Sequence, residues 1–516
     1  MSERQPTPMD PLRMVRNVLA NWGGFALAAV VNFFLAPFIV HHLGETLYGI
    51  SVLFLALTGY IGALDLVVRG GLTPCVARFH AGGEHERSSQ VVSAAMALFG
   101  GLGLLVAALC LAITLRVDLL PIPTAYHDLA RILFLLAGPN VAASLMSGIF
   151  TGALMGLQRF ELVNAIGIGA TVVRAAAIVL ALSSGGGIVA LFWIQLLTTL
   201  GALVVSAWAC LRVYPELKLI VRKLELAAAT MVLSLSGYAL LLVVFDWLLA
   251  YLVSLLVGGM GSAAMVTSFW IAANLIHYSR IIVGGISRTS TPLASSLEAQ
   301  GAAGKLQRTA LLATTFASLV VLPVAATFLL RGGSFIALWM GSQFREPSGS
   351  VLGVLTIGLA FSASSQIAMA MVLGVNKHHP VAWVSVVQAI TTLAASAVLL
   401  PRAGLVCVAW AVTIPYLVVS LLFWPAYLRS AIGIPVASFV QAAWTRPFAA
   451  IMPFAAGTYA VERFWPAGNL AFFFLQVGSL LPLAALGGWY LCLTGEDRAA
   501  LTQSVLRPAW RLIWPR

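Results

Sequence analysis

Runs of apolar residues recur along the whole chain, separated by short polar stretches. A transmembrane helix needs about 20 consecutive, mostly apolar residues. The pattern predicts spans at 17–40, 48–68, 91–114, 129–156, 162–182, 188–211, 228–256, 263–287, 309–330, 351–374, 381–400, 404–428, 448–462 and 470–493. The longest gaps are about 20 residues, so no water-soluble domain fits between them. Phe335–Phe344 and Ile434–Trp444 alternate as short amphipathic segments and are expected to lie on the membrane surface. The polar-leaning residues before the first run, which is itself long enough to span, predict no cleavable signal peptide.

Composition sharpens this picture. Of 516 residues, 60% are hydrophobic and 9% charged, with a mean hydropathy of +0.98. Soluble domains carry about 25% charged residues. A soluble enzyme, a disordered chain and a coiled coil are excluded, which leaves an all-α polytopic membrane protein with about 14 transmembrane helices. The charge is unbalanced, with 29 basic and 17 acidic residues and a net of +12. Basic residues concentrate in cytoplasmic segments. With a cytoplasmic N-terminus, 21 of the basic residues fall in inner segments and 6 in outer ones, and Arg174 and Arg280 lie within spans. Both termini are therefore expected in the cytoplasm, and most of the positive charge is topological. No nucleic-acid partner is expected. The five cysteines lack motif spacing, so neither a disulfide nor a metal site is expected. His41-His42 and His378-His379 fall in turns on opposite sides of the membrane and cannot share a metal ion.

The chain repeats itself. Thr73-Pro74 matches Thr291-Pro292, and Met155–Arg159 matches Leu373–Lys377, both at an offset of 218. Gly187–Trp193 matches Gly404–Trp410 at an offset of 217. The unit holds six spans, an even number, so both halves enter from the same side. They form parallel repeats about an axis along the membrane normal, and transporters built this way hold substrate near mid-membrane between the halves. The expected organisation is an N-terminal six-helix lobe over 1–222, a second over 223–446, and spans 13 and 14 with a cytoplasmic tail over 447–516.

Pro37 followed by Leu43-Gly44-Glu45-Thr46-Leu47-Tyr48-Gly49 resembles a signature of the polysaccharide transporter family. Tyr60 with Leu64-Asp65-Leu66, then Ala77-Arg78-Phe79, fits the same pattern, as do the turns at Gly156–Arg159 and Gly374–Lys377. Val67 departs from it, standing where the family usually has Gly. These are the Wzx-like oligosaccharide-lipid flippases, in a superfamily with multidrug extruders and lipid II flippases. The resemblance implies two six-helix lobes around a central cationic cavity. It implies passage of an undecaprenyl-diphosphate-linked oligosaccharide across the bacterial inner membrane, for O-antigen, capsule or exopolysaccharide synthesis. No cofactor is implied. Membrane lipids surround such a protein, and polysaccharide polymerases are candidate partners.

Ionisable residues inside spans are expensive and mark function by default. Arg280, beside His277 and Tyr278, offers a planar fork that matches a diphosphate; the alternative is snorkelling to the cytoplasmic surface. Arg174 lies near mid-span and either meets substrate or pairs with an acidic residue. Arg69 closes span 2 four residues after Asp65, so the two share a helical face and could pair; Arg69 could instead line the cavity mouth. Asp246 has no basic neighbour one turn away, and burial would raise its pKa into the range of a proton or sodium coupling site. Its alternative is a pair with Arg174 or Arg280. Asp65 is a second coupling candidate. Asn32 and Asn274 could bond sugar hydroxyls or join helices.

Three alternatives compete with oligosaccharide flipping. A lipid II flippase shares the span count. A multidrug extruder moves cationic drugs and favours an acidic cavity, which the arginines within spans oppose. A membrane-embedded polymerase or glycosyltransferase needs a large outer loop with catalytic residues, and no outer loop here exceeds about 20 residues.

Overall fold

The computed structural model describes residues 11–119, 124–218 and 252–502, with backbone alone at 11–26, 56–70, 500 and 501. Among the described residues there is no strand. In hydrocarbon each backbone N–H and C=O must be satisfied within its own segment, which helices do. The chain groups into two compact units, Met1–Thr267 and Ser268–Arg516.

The first unit holds α1 (Pro11–Ala81), α2 (His85–Leu115), α3 (His127–Gly156), α4 (Phe160–Ser183), α5 (Ile188–Val213) and α6 (252–260). The start of α7 (Ala263–Ala299) is tied to the same unit. Thr267 donates from Oγ1 to the Glu45 carbonyl at 2.6 Å. The second unit continues with α7, then α8 (Ala303–Met340), α9 (Pro347–Gly374), α10 (His379–Val418) and α11 (Trp424–Ile432). It ends with α12 (Val436–Val440), α13 (Arg446–Phe464), α14 (Leu470–Leu491) and α15 (Gly495–Leu501).

Ten of the described helical stretches are long and apolar enough to cross a membrane. Twelve of the fourteen predicted spans, all but 7 and 13, fall on these ten stretches. Spans 1 and 2 run together in α1, broken only at Gly44, whose φ of 78° is left-handed. Spans 11 and 12 run together in His379–Ile432, broken at Gly404 (φ 74°). Span 13 is α13, which at 19 residues is long enough but less apolar. Most of span 7 lies outside the described residues.

Two local expectations are corrected. Phe335–Met340 does not lie on a surface: α8 runs 38 residues through it, with Phe335, Ile336, Trp339 and Met340 buried. Gly332-Gly333 interrupts the apolar pattern without ending the helix. His41 and His42 are helical, and each ring nitrogen meets the carbonyl four residues earlier, Pro37 and Phe38.

Each unit is built around one central helix. In α3 and α9 apolar residues surround the axis, and these two helices are the most buried of the ten. Around α3 the core gathers Leu72, Val76, Phe99, Leu145, Ile149 and Cys210. The 218-residue offset recurs in the local structure. Among the described residues, the non-glycine residues with positive φ are Gln158 (60°) and Asn376 (56°), which are equivalent under that offset. Gly156 packs so closely that a Cβ would sit 2.9 Å from the Thr73 carbonyl oxygen. At Gly374 a Cβ would collide with the equivalent Thr291 carbonyl and lie 2.7 Å from Ala294 Cβ. Ser147 bonds Ser206, and its equivalent Ser365 bonds Ser420.

Candidate functional site

Arg174 sits well inside α4 and is half-buried. Its Nε donates to Thr198 Oγ1 of α5 at 3.3 Å, and the Thr198 hydroxyl in turn donates to the Ile194 carbonyl. Among the described residues no carboxylate pairs with it. Beside it an open groove of about 660 Å³ runs between α4 and α5. Its walls are thin because Gly169, Ala170, Gly201 and Ala202 face it, and Thr198 is its one polar lining residue. The helix pair thus presents a cation next to an apolar trough.

Arg280 belongs to the second unit, in α7, and is half-buried. Its guanidinium carbon lies 5.8 Å from the Tyr416 ring centroid in α10, within cation–π range. The helix does not end near residue 287 but continues to Ala299, 19 residues beyond Arg280. At 1.5 Å per residue that is roughly 28 Å along the axis. His277 and Tyr278 lie alongside, with ring centroids 6.3 Å apart. Asn274 is half-buried one to two turns earlier, and Asn32 of α1 is exposed. The backbone at Asp65 and Arg69 is helical, but their side chains lie outside the described residues, and so does the whole of Asp246.

The most deeply buried charge among the described residues was not singled out by the sequence pattern. Arg331 of α8 is 1% exposed, although its position in the pattern is an outer loop. Its Nε donates to Glu462 Oε2 of α13 at 2.7 Å, and Nη2 donates to Gln476 Oε1 of α14 at 2.6 Å. Ser334 donates to the other Glu462 oxygen. Gln476 donates onward to the Trp465 carbonyl, and the Phe473 ring lies 4.4 Å from the guanidinium carbon. This cluster clasps the α13–α14 hairpin to α8. The available signal was an acid in span 13 and an amide in span 14, each the strongest polar group in its segment.

Residues 48–349 match the family of polysaccharide biosynthesis proteins. The chain belongs to that family. As a polysaccharide biosynthesis family protein it carries Arg174, Arg280 and Arg331 inside the matched stretch, and Glu462 and Gln476 beyond it. It is 22% identical over 422 residues to a protein of Shigella flexneri named as a candidate O-antigen transporter, covering 78% of this chain and 95% of the relative. Its fold is similar to that of the lipid II flippase MurJ in an inward closed conformation. The TM-score is 0.69 at 12% identity, over 96% of this chain and 100% of the other. It is also similar to an inward-facing multidrug resistance transporter of the MATE family, with a TM-score of 0.66 at 17% identity, over 78% of this chain and 94% of the other. At these identities the likeness to solved structures concerns the fold: polytopic and all-α.

Proposed function

We propose that this protein is a flippase that carries an undecaprenyl-diphosphate-linked oligosaccharide from the inner to the outer leaflet of the bacterial inner membrane. The observation that carries this reading is Arg174: a guanidinium well inside an apolar helix, held by a threonine hydroxyl and by no carboxylate among the described residues. A cation kept within a span needs an anion at some stage of the working cycle, and a diphosphate supplies one in fork-matching geometry. Arg280, steadied over Tyr416, is the corresponding anion contact of the second unit. Asn32 and Asn274 bond sugar hydroxyls, and Arg69 guides the headgroup at the mouth. The working division is a lobe over 1–222, a lobe over 223–446 and a C-terminal hairpin over 447–516. Asp246 and Asp65 couple the cycle to protons or sodium ions, both termini are cytoplasmic, and a polysaccharide polymerase consumes the product. Family membership supports the reading, as does the similarity to the O-antigen transporter candidate.

The test is a deletion strain. Lipid-linked repeat units should accumulate on the cytoplasmic face, and Arg280→Ala or Arg174→Ala at normal protein level should fail to restore surface polysaccharide. Full restoration by both variants would remove these arginines from the transport path. The extent of the match to the lipid II flippase fold favours that cargo as the second reading. Rescue of a strain lacking lipid II flipping would select it.

A further inference from the structure

Two long helices end together at one end of the second unit, beside a third that passes them. There α8 begins at Ala303 and α14 ends at Leu491, while the helix that becomes α13 runs on unbroken from Val436. Between these ends lies an open cavity of about 890 Å³. Its floor is hydrocarbon, from Leu311, Leu312 and Ala442. One wall is a π-helical turn, Gln441–Thr445, whose wider winding leaves the Ala442 carbonyl free to accept from Thr315 Oγ1 at 3.0 Å. That bond fixes the wall against α8.

The rim is charged in two places and with opposite sign. On one side Arg308 Nη2 donates to Glu496 at 3.0 Å and to Asp497 at 2.9 Å. Two carboxylates on one guanidinium leave this edge with one negative charge in excess. Burial alone would raise the Asp497 pKa, but hydrogen bonds from Thr494 and Arg308 outweigh it and hold the carboxyl below its ordinary value, so it stays ionised. On the other side stands Arg446, which is exposed and forms no ion pair among the described residues. The cavity is therefore dipolar at its rim and apolar at its floor. It lies at the end shared by α8 and α14, both apolar enough to cross a membrane, beside the apolar stretches of the two helices.

We infer that this cavity binds a zwitterionic phospholipid with a primary-amine headgroup. The phosphate sits on Arg446, the ammonium on the Glu496–Asp497 edge, and the first methylenes of the acyl chains on Leu311 and Leu312. An anionic lipid would gain the same contact at Arg446 but would meet the acidic edge with hydroxyls at most and no positive charge. This site is separate from the arginines of the transport path and does not depend on them.

The experiment uses the full chain purified in a non-denaturing detergent. It is titrated with phosphatidylethanolamine or phosphatidylglycerol of identical acyl chains, and bound lipid is counted by native mass spectrometry. The expected result is a preference of about fivefold for the ethanolamine lipid, the size of one exposed charge contact. Arg446→Ala should remove about the same factor from ethanolamine-lipid retention. Glu496→Gln should erase the preference by improving retention of the glycerol lipid. Ser438→Trp, which fills the cavity without altering charge, should lose both lipids, and Arg429→Ala on a nearby helix should change nothing. Equal retention of the two lipids by the unaltered chain would overturn the assignment. So would unchanged retention in both Arg446→Ala and Ser438→Trp, or a loss in Arg429→Ala as large as in Arg446→Ala.

Discussion

Arg331 shows how a single buried residue can clasp the helices of a membrane protein together. Its charge is fully buried, and Glu462 supplies the matching charge at 2.7 Å. Truncating one partner of a buried pair strands the other, at a cost of about 3–5 kcal/mol. Arg331→Ala should therefore lower the thermal midpoint of the purified protein sharply. The pair Arg331→Met with Glu462→Met should recover most of the loss, because an apolar replacement of both partners is nearly neutral. Calorimetry or a thiol-dye melt in detergent reads this, and a double variant no better than the single would show that the pair is not what holds the hairpin. Arg280 and Arg174 are different in kind. They were legible from the sequence because each interrupts a long apolar run, whereas Arg331 stands beside two glycines that mimic the end of a helix. Where the sequence left Arg174 between an ion pair and a substrate contact, the described partner is the Thr198 hydroxyl.

At the scale of elements, the duplicated turns after α3 and α9 are the clearest inheritance from the repeat. Asn376 holds φ at 56°, a conformation that costs an ordinary residue roughly 1–2 kcal/mol and asparagine less. Asn376→Ala should destabilise by about 1 kcal/mol while Asn376→Gly is tolerated. Gln158, with φ at 60°, already pays the ordinary cost, so Gln158→Ala should be nearly neutral and Gln158→Gly stabilising. Equal melting of the Ala and Gly variants would contradict the backbone argument. The short helix α15 is fastened electrostatically. Thr494 and Asp497 form a reciprocal capping box, and Arg308 bonds both Glu496 and Asp497. Because the folded Asp497 pKa is depressed, its contribution is fully present above the ordinary value of about 3.9 and is lost as pH falls through the lower folded value. Hydrogen exchange over residues 495–501 should accelerate in that acid window. Asp497→Asn should exchange fast at neutral pH as well and show no further acid step.

At the scale of the molecule, the family and the fold agree on a polytopic helical protein of polysaccharide biosynthesis. The distribution of basic residues makes a separate prediction about orientation. Single cysteines placed at Ser430 and at Ser504 should be shielded from a membrane-impermeant reagent in intact cells, and one placed at the exposed Ser342 should react once the outer membrane is opened. Labelling of the first two in intact cells would reverse the proposed topology. The ends of α8 and α14 that form the dipolar cavity would then face the other leaflet, with the lipid assignment unchanged.

Hydropathy alone determined that the chain crosses a membrane many times, and where, because burying a polar backbone in hydrocarbon leaves helices as the available solution. An exact register of small residues and turns revealed the duplication, since Gly156 and Gly374 must each admit a neighbouring helix at close range. Whether two predicted spans stay joined, as in α1 and α10, depended on one glycine's backbone angle, which a hydropathy window does not resolve. Partnership was likewise settled by packing. That Arg331 meets Glu462 across 131 residues, and Arg308 meets Asp497 across 189, follows from which helix faces pack together. Charge pairing at such separations carries no local signature, because it is a property of the folded surface and not of any segment.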